Sequence, residues 1–411
     1  VYAYTQPAAT PEDHRATARR KPLDRKTPKA QLASFYFFYF AVMGVVVPYW
    51  SPYLHSIGFS PDAIGELMAI FMGARIVAPM LMGLAADSTG RPMALVRMAA
   101  VGGALCFAMV FLGRSYRLLA GSMAAFGLFY ASALPPFEAV TLNHLGEGVE
   151  RYGRIRLWGS LGFIVAVVGI GHLLEMTSVG WVPRVIQVFF VVLAFAAMTI
   201  PRSPSPPSPR FDRSFWTLLK DKRVVALLFV GLANQMGHGP YYVFFTIRLE
   251  EVGYAKSAIG PLWAIGVIAE IGLFFWMTKL LPRFGPRKLL IAALALGALR
   301  WNMIALFVDE PVILASSQLL HAASFGIVHA VTIHLIHKMF VGHTQSRGQA
   351  LYAAMGFGAG GVAGSLFAGY AWASVGPAAT YHLASLFPAL ASLVALLWVR
   401  QPSGKAAHGP G

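Results

Sequence analysis

The chain has 411 residues, of which 57% are hydrophobic and only 12% charged, and its mean hydropathy is +0.60. A soluble protein carries about a quarter charged residues, so this is the composition of a polytopic membrane protein. The net charge of +16 fits basic loops facing an anionic leaflet and excludes a nucleic-acid binder, since no soluble basic domain is present to do that work. Cys106 is the only cysteine, which excludes an internal disulfide and a cysteine-built metal site.

Residues 1–30 are polar, rich in Arg, Lys and Pro, and lack the apolar core of a signal peptide; they read as a disordered cytoplasmic tail. Apolar stretches long enough to cross a bilayer follow at 32–54, 64–86, 93–113, 118–142, 155–175, 180–200, 224–248, 259–281, 288–308, 311–335, 350–373 and 377–399. That pattern predicts an all-α membrane protein of twelve helices. The Pro/Ser-rich stretch 201–223 is the longest polar interruption and divides them six and six. The expected organisation is a tail at 1–30, an N-terminal bundle at 31–200, a linker at 201–223, a C-terminal bundle at 224–400 and a second tail at 401–411. With the N-terminus placed inside, the inner segments hold 26 of the 33 Lys and Arg and the outer segments five. Both ends and the linker are therefore expected in the cytoplasm.

Helix geometry then sets depth. Glu138 lies nine residues before a turn centred near Glu147, and Arg156 nine after it. Antiparallel helices rise about 1.5 Å per residue, so the two charges share a level and can pair. Glu270 and Arg300 each lie fifteen residues from Gly285, and His321 follows the next turn at the same level. Such groups cost about 2.5–3.5 kcal/mol each in lipid, which favours inward placement. A shielded carboxylate holds a proton near neutrality and releases it when an arginine or water approaches. Histidine hydrogen-bonds or titrates in the same range.

Arg75 is a further charge within a span, and suits an anionic substrate. Asn234, His238 and Tyr241 share one helical face in the seventh span and are candidate hydrogen-bonding groups. Trp158 and Phe325 are candidate walls for an aromatic ring. The glycine-rich stretch MGFGAGGVAGSLFAG of the eleventh span predicts a close packing face. No Ser/His/Asp set, zinc-protease motif or phosphate-binding glycine loop is present, so neither an enzyme nor an ATP-driven pump is expected, and no cofactor or metal.

The loop GLAADSTGRP carries Gly83, Asp87, Gly90 and Arg91 in a G-x-x-x-D-x-x-G-R pattern. With twelve spans split six and six, it resembles the major facilitator superfamily. RYGRIRLWGS, GVIAEIGLFF, LRWNM and LLHAASFGIVHA are similar to the phenylpropionate permease branch, akin to lactose permease and the nucleoside–proton symporters. The resemblance implies alternating access between two bundles, with Asp87 and Arg91 helping to hold one conformation. It places Glu138 and Arg156 at substrate, and Glu270, Arg300 and His321 at proton coupling, with Glu138 in reserve as the carrier. The lactose permease pattern has a second Glu three residues after the His; here Ser324 stands there, which shifts the proton role to Glu270. The expected function is proton-coupled uptake of a small aromatic carboxylate such as phenylpropionate, by a monomer in the inner membrane. A sugar or nucleoside symporter is the alternative; drug export or a membrane sensor fits less well.

Overall fold

The computed structural model describes residues 27–146, 148–202, 217–341 and 344–399. The N-terminal tail to residue 26, the C-terminal tail and the greater part of the linker lie outside the described residues. So do the surroundings of Gly83 and the side chain of Asp87.

Among the described residues the secondary structure is helical throughout. The first half holds α1 (Lys29–Ser56), α2 (Pro61–Thr89), α3 (Pro92–Ala108), α4 (Tyr116–Leu145), α5 (Tyr152–Met176) and α6 (Val182–Thr199). The second half begins with α7 (Lys222–Gly237) and α8 (Gly239–Glu251), which form one crossing interrupted at His238. The chain continues through α9 (Lys256–Phe284) and α10 (Pro286–Phe307). The tenth crossing is α11 (Pro311–Leu319), a π-helical segment (Ala322–Ile327) and α12 (Val328–Met339). The last two crossings are α13 (Gln345–Ala353), a second π segment (Ala354–Gly360) and α14 (Gly361–Trp398). Within α14 the chain turns at Gly376, whose φ of 80° is open to glycine and strained for other residues.

Local chemistry sets the helix ends. Proline, which has no N–H to leave unbonded, begins α2, α3, α10 and α11. Ser115 caps α4 by accepting from the Leu118 amide at 3.4 Å, and Asp221 caps α7 by accepting from the Arg223 amide at 2.8 Å. The Arg223 guanidinium also lies 2.6 Å from Asp221 and holds that carboxyl below the usual range.

The apolar core distinguishes the two ends of the molecule. At the end marked by the Gly58 turn, one continuous cluster runs from the first half into Phe244, Trp263, Trp301, Trp372 and Tyr381 of the second. Toward the end marked by Gly90, the second half keeps a separate core around Leu227, Leu290, Val331 and Ile336. The halves meet closely at the Gly58 end. A Cβ at Gly369 would lie 2.9 Å from the Gly65 Cα, and one at Gly260 would lie 2.4 Å from the Val167 carbonyl. Glu66 accepts from Tyr116 of its own half at 2.7 Å and from Tyr370 of the other half at 2.6 Å. Glu175 accepts from the Ser257 amide near the start of α9 at 3.3 Å. The glycine-rich stretch thus packs against α2 and continues that contact to Gly358 and Ile76.

Candidate functional site

The second half builds its polar layer around Arg300, which α10 places in full burial. Its Nε donates to the Ser317 carbonyl at 3.1 Å and its Nη2 to Gln318 Oε1 at 3.2 Å. Its Nη1 donates to His321 Nδ1 at 3.1 Å and to Ser324 Oγ at 3.4 Å. The flat guanidinium lies over the rings of Tyr241 (4.3 Å) and Trp301 (4.5 Å), an arrangement in which both its fork and its faces are used. No carboxylate lies within ion-pair distance of Arg300 among the described residues.

This geometry fixes a tautomer. Guanidinium N–H groups only donate, so His321 Nδ1 accepts and the neutral ring carries its hydrogen on Nε2. That nitrogen is 3.8 Å from Glu270 Oε2. Arg300 orients His321, and His321 turns an N–H toward the carboxylate. The π segment contributes too: a π turn carries an extra residue and leaves carbonyls without their regular helical donors, and the Ser324 carbonyl is bonded instead by Asn234 Nδ2 at 3.0 Å.

The first half presents three half-buried charges, Arg75, Glu138 and Arg156. Depth arithmetic pairs Glu138 with Arg156, but no ion pair joins them in the structure. Arg156 lies over the Phe40 ring at 4.1 Å and the Tyr36 ring at 5.5 Å. Glu138 accepts from Tyr152 O–H at 3.2 Å. Helix rise places the two at one level, but rotation about the helix axes points Arg156 at α1. Arg75 rests against Met43 Sδ at 3.7 Å and lies 5.8 Å from the Phe71 ring centre. Behind this wall Tyr39 and Tyr130 stack at 4.3 Å and exchange hydrogen bonds with each other's carbonyls.

The two walls face one another. α5 and α9 pack together at Val167 and Gly260, so Arg156 and Glu270, eleven and ten residues further along these helices, stand level with each other. Other expected site residues fall elsewhere. Asn234, His238 and Tyr241 are buried with internal partners: His238 Nδ1 meets the Asn234 carbonyl at 2.8 Å, and Tyr241 O–H donates to Gln318 at 3.0 Å. They present nothing to a solute in this conformer; their half-buried neighbour Tyr242, stacked on His238 at 5.5 Å, does. Trp158 is 48% exposed on the same stripe as Leu157, Leu161 and Val165, the lipid-facing side of α5, about 200° around the helix from Arg156. Phe325 stacks on His321 at 5.1 Å. Gly90 turns the α2–α3 loop with φ of 61°, and Arg91 there is exposed. Tyr242, Tyr152 and Phe40 are the residues that sequence reasoning left out. The available signal was Tyr242's four-residue spacing from His238.

Comparison with known proteins agrees with this architecture. The model of the MFS_1 like family matches residues 30–383. A "Probable 3-phenylpropionic acid transporter" of Escherichia coli (strain K12) is 29% identical over 355 residues, covering 84% of this chain and 91% of that protein. A "Maltose permease" of Geobacillus stearothermophilus is 28% identical over 372 residues, covering 89% and 93%. Among solved structures, that of the nucleoside transporter NupG superposes with a TM-score of 0.82 at 16% identity, covering 91% of this chain and 99% of that one. Twelve crossings in two halves, a polar layer between them and these relatives lead to one assignment: the chain belongs to the MFS_1 like family of the major facilitator superfamily, multi-pass membrane transporters rather than enzymes.

Proposed function

We propose that this transporter is a proton symporter that takes up a small aromatic carboxylate by alternating access. The observation that carries the reading is the pair Arg75 and Arg156: two half-buried cations with no carboxylate in ion-pair contact among the described residues, set among aromatic rings. Cations left in this way within a membrane protein suit an anion that arrives from outside, and the rings around them suit an aromatic body. The relative named for 3-phenylpropionic acid supports that class. The relative named Maltose permease keeps a sugar as the competing substrate.

Glu270 is the proposed proton carrier. It is half-buried, faces the Nε2–H of His321, and stands level with Arg156 of the neighbouring α5, whose positive field acts on it. An anion bound at Arg156 neutralises that field, which favours the protonated carboxyl; substrate and proton then load together. The excess of Lys and Arg on the segments of the Gly90 end supports a cytoplasmic position for that end. The conformer closed at Gly58 is then the one whose site communicates with the cytoplasm.

Uptake into proteoliposomes under an imposed pH gradient, over a panel of aromatic acids, sugars and nucleosides, tests the reading. Accumulation of aromatic acids that vanishes when the gradient is collapsed is expected; gradient-independent uptake, or uptake of sugars alone, would sink it. Glu270→Gln is expected to lose accumulation by at least about tenfold while retaining substrate exchange.

A further inference from the structure

His329 lies two helical turns beyond His321, on α12, and has no part in the Arg300 layer. Its ring is enclosed by three others: Phe325 at 6.2 Å and nearly parallel, Tyr352 at 5.9 Å and Phe357 at 5.7 Å. Phe325 and Phe357 come from the two π segments, whose rings meet at 5.9 Å. The imidazole is therefore held on the protein side. The residue as a whole is only half-buried, so part of it remains accessible.

The two ring nitrogens differ. Nδ1 is buried and has no hydrogen-bond partner among the described residues. A hydrogen on Nδ1 would be a buried donor with nothing to bond, which is costly. The lone pair is the cheaper occupant of that position, so the hydrogen sits on Nε2, the nitrogen that is not sealed. The neighbouring wall carries Arg156 near that level: α9 packs on α5 at Gly260 and Val167, Glu270 and Arg156 lie ten and eleven residues further toward the Gly90 end, and Glu270 lies against Gly326, three residues before His329.

We propose that His329 is a substrate-recognition residue, whose Nε2–H donates to the anionic group that Arg156 holds from the other half. The carboxylate is then gripped by one group from each bundle. A guanidinium alone binds phenyl carboxylates and other anions alike. A second donor fixed by an aromatic cage selects an anion with one oxygen free on the side of α12. Phe325 and Phe357 offer their remaining edges to the attached ring. The proposal rests on the carboxylate reading above and adds a residue to it.

The test separates donor position from packing. Glutamine carries its N–H₂ near the Nε2 position and asparagine near Nδ1, while leucine keeps bulk without a donor. Binding of 3-phenylpropionate and of its neutral amide is measured for the folded full-length protein in nanodiscs. His329→Gln is expected to stay within about threefold of native affinity for the acid. His329→Asn and His329→Leu are expected to lose about 10–100-fold, the worth of a hydrogen bond to a charged group. The amide should change little across the series. Ring-¹⁵N labelling of histidine, assigned by comparison with His329→Gln, reads the tautomer without any substrate. Equal affinity in all variants, equal loss in all three, or a hydrogen on Nδ1 would each overturn the assignment. If the native protein binds no aromatic acid, the functional reading itself fails; native binding with an unaffected His329→Leu defeats this inference alone.

Discussion

At the scale of single residues, Arg300 shows how a buried cation is held with no carboxylate in ion-pair reach among the described residues. Four acceptors and two aromatic faces share it. A lysine has neither the planar fork nor the flat faces. Arg300→Lys should therefore lower stability by about 2–4 kcal/mol, the range for breaking a buried charged network, seen as a fall in the thermal unfolding midpoint in detergent. An unchanged midpoint would mean that the network contributes little. The same residue illustrates what the sequence makes legible. Counting from turns put Arg300, Glu270 and His321 in one layer, because depth depends only on helix rise. The same count failed to show that Arg156 turns to Phe40 and not to Glu138, because facing depends on helix rotation, which neighbouring side chains decide.

At the scale of elements, the positions of the crossings are legible because lipid demands long apolar stretches. Their interruptions are not. The π segments at Ala322–Ile327 and Ala354–Gly360 interrupt their helices without a proline, and the first is tied to a tertiary partner, the Asn234–Ser324 bond, which no local propensity encodes. The approach of α2 to α14 at Gly65 and Gly369 has a direct consequence. A Cβ at Gly369 would meet the Gly65 Cα and the Pro61 carbonyl, both at 2.9 Å and both backbone, and backbone cannot rotate aside. Gly369→Val should wedge the halves apart at that end and favour the opposite conformer. Spin–spin distances between labels on α2 and α14 should lengthen there; an unchanged distance distribution would contradict the close approach.

At the scale of the whole molecule, the polar layer lies between two halves that are fused by apolar packing at one end and keep distinct cores toward the other. Trp372 stacks on Phe244 at 4.5 Å within the shared cluster. Opening that end requires rings from both halves to meet water instead of each other. Apolar surface exposed to water adds roughly 0.45 cal/K/mol for each Å². Reorientation should therefore carry a heat capacity of its own, and the two conformers should exchange ranking with temperature along a curve. Turnover measured over a wide temperature range in a fluid bilayer is expected to give a bent Arrhenius plot. A straight one would imply that little apolar surface opens to water. A transporter closed by a greasy seam is in this sense also a thermometer, tuned by how much aromatic surface it hides.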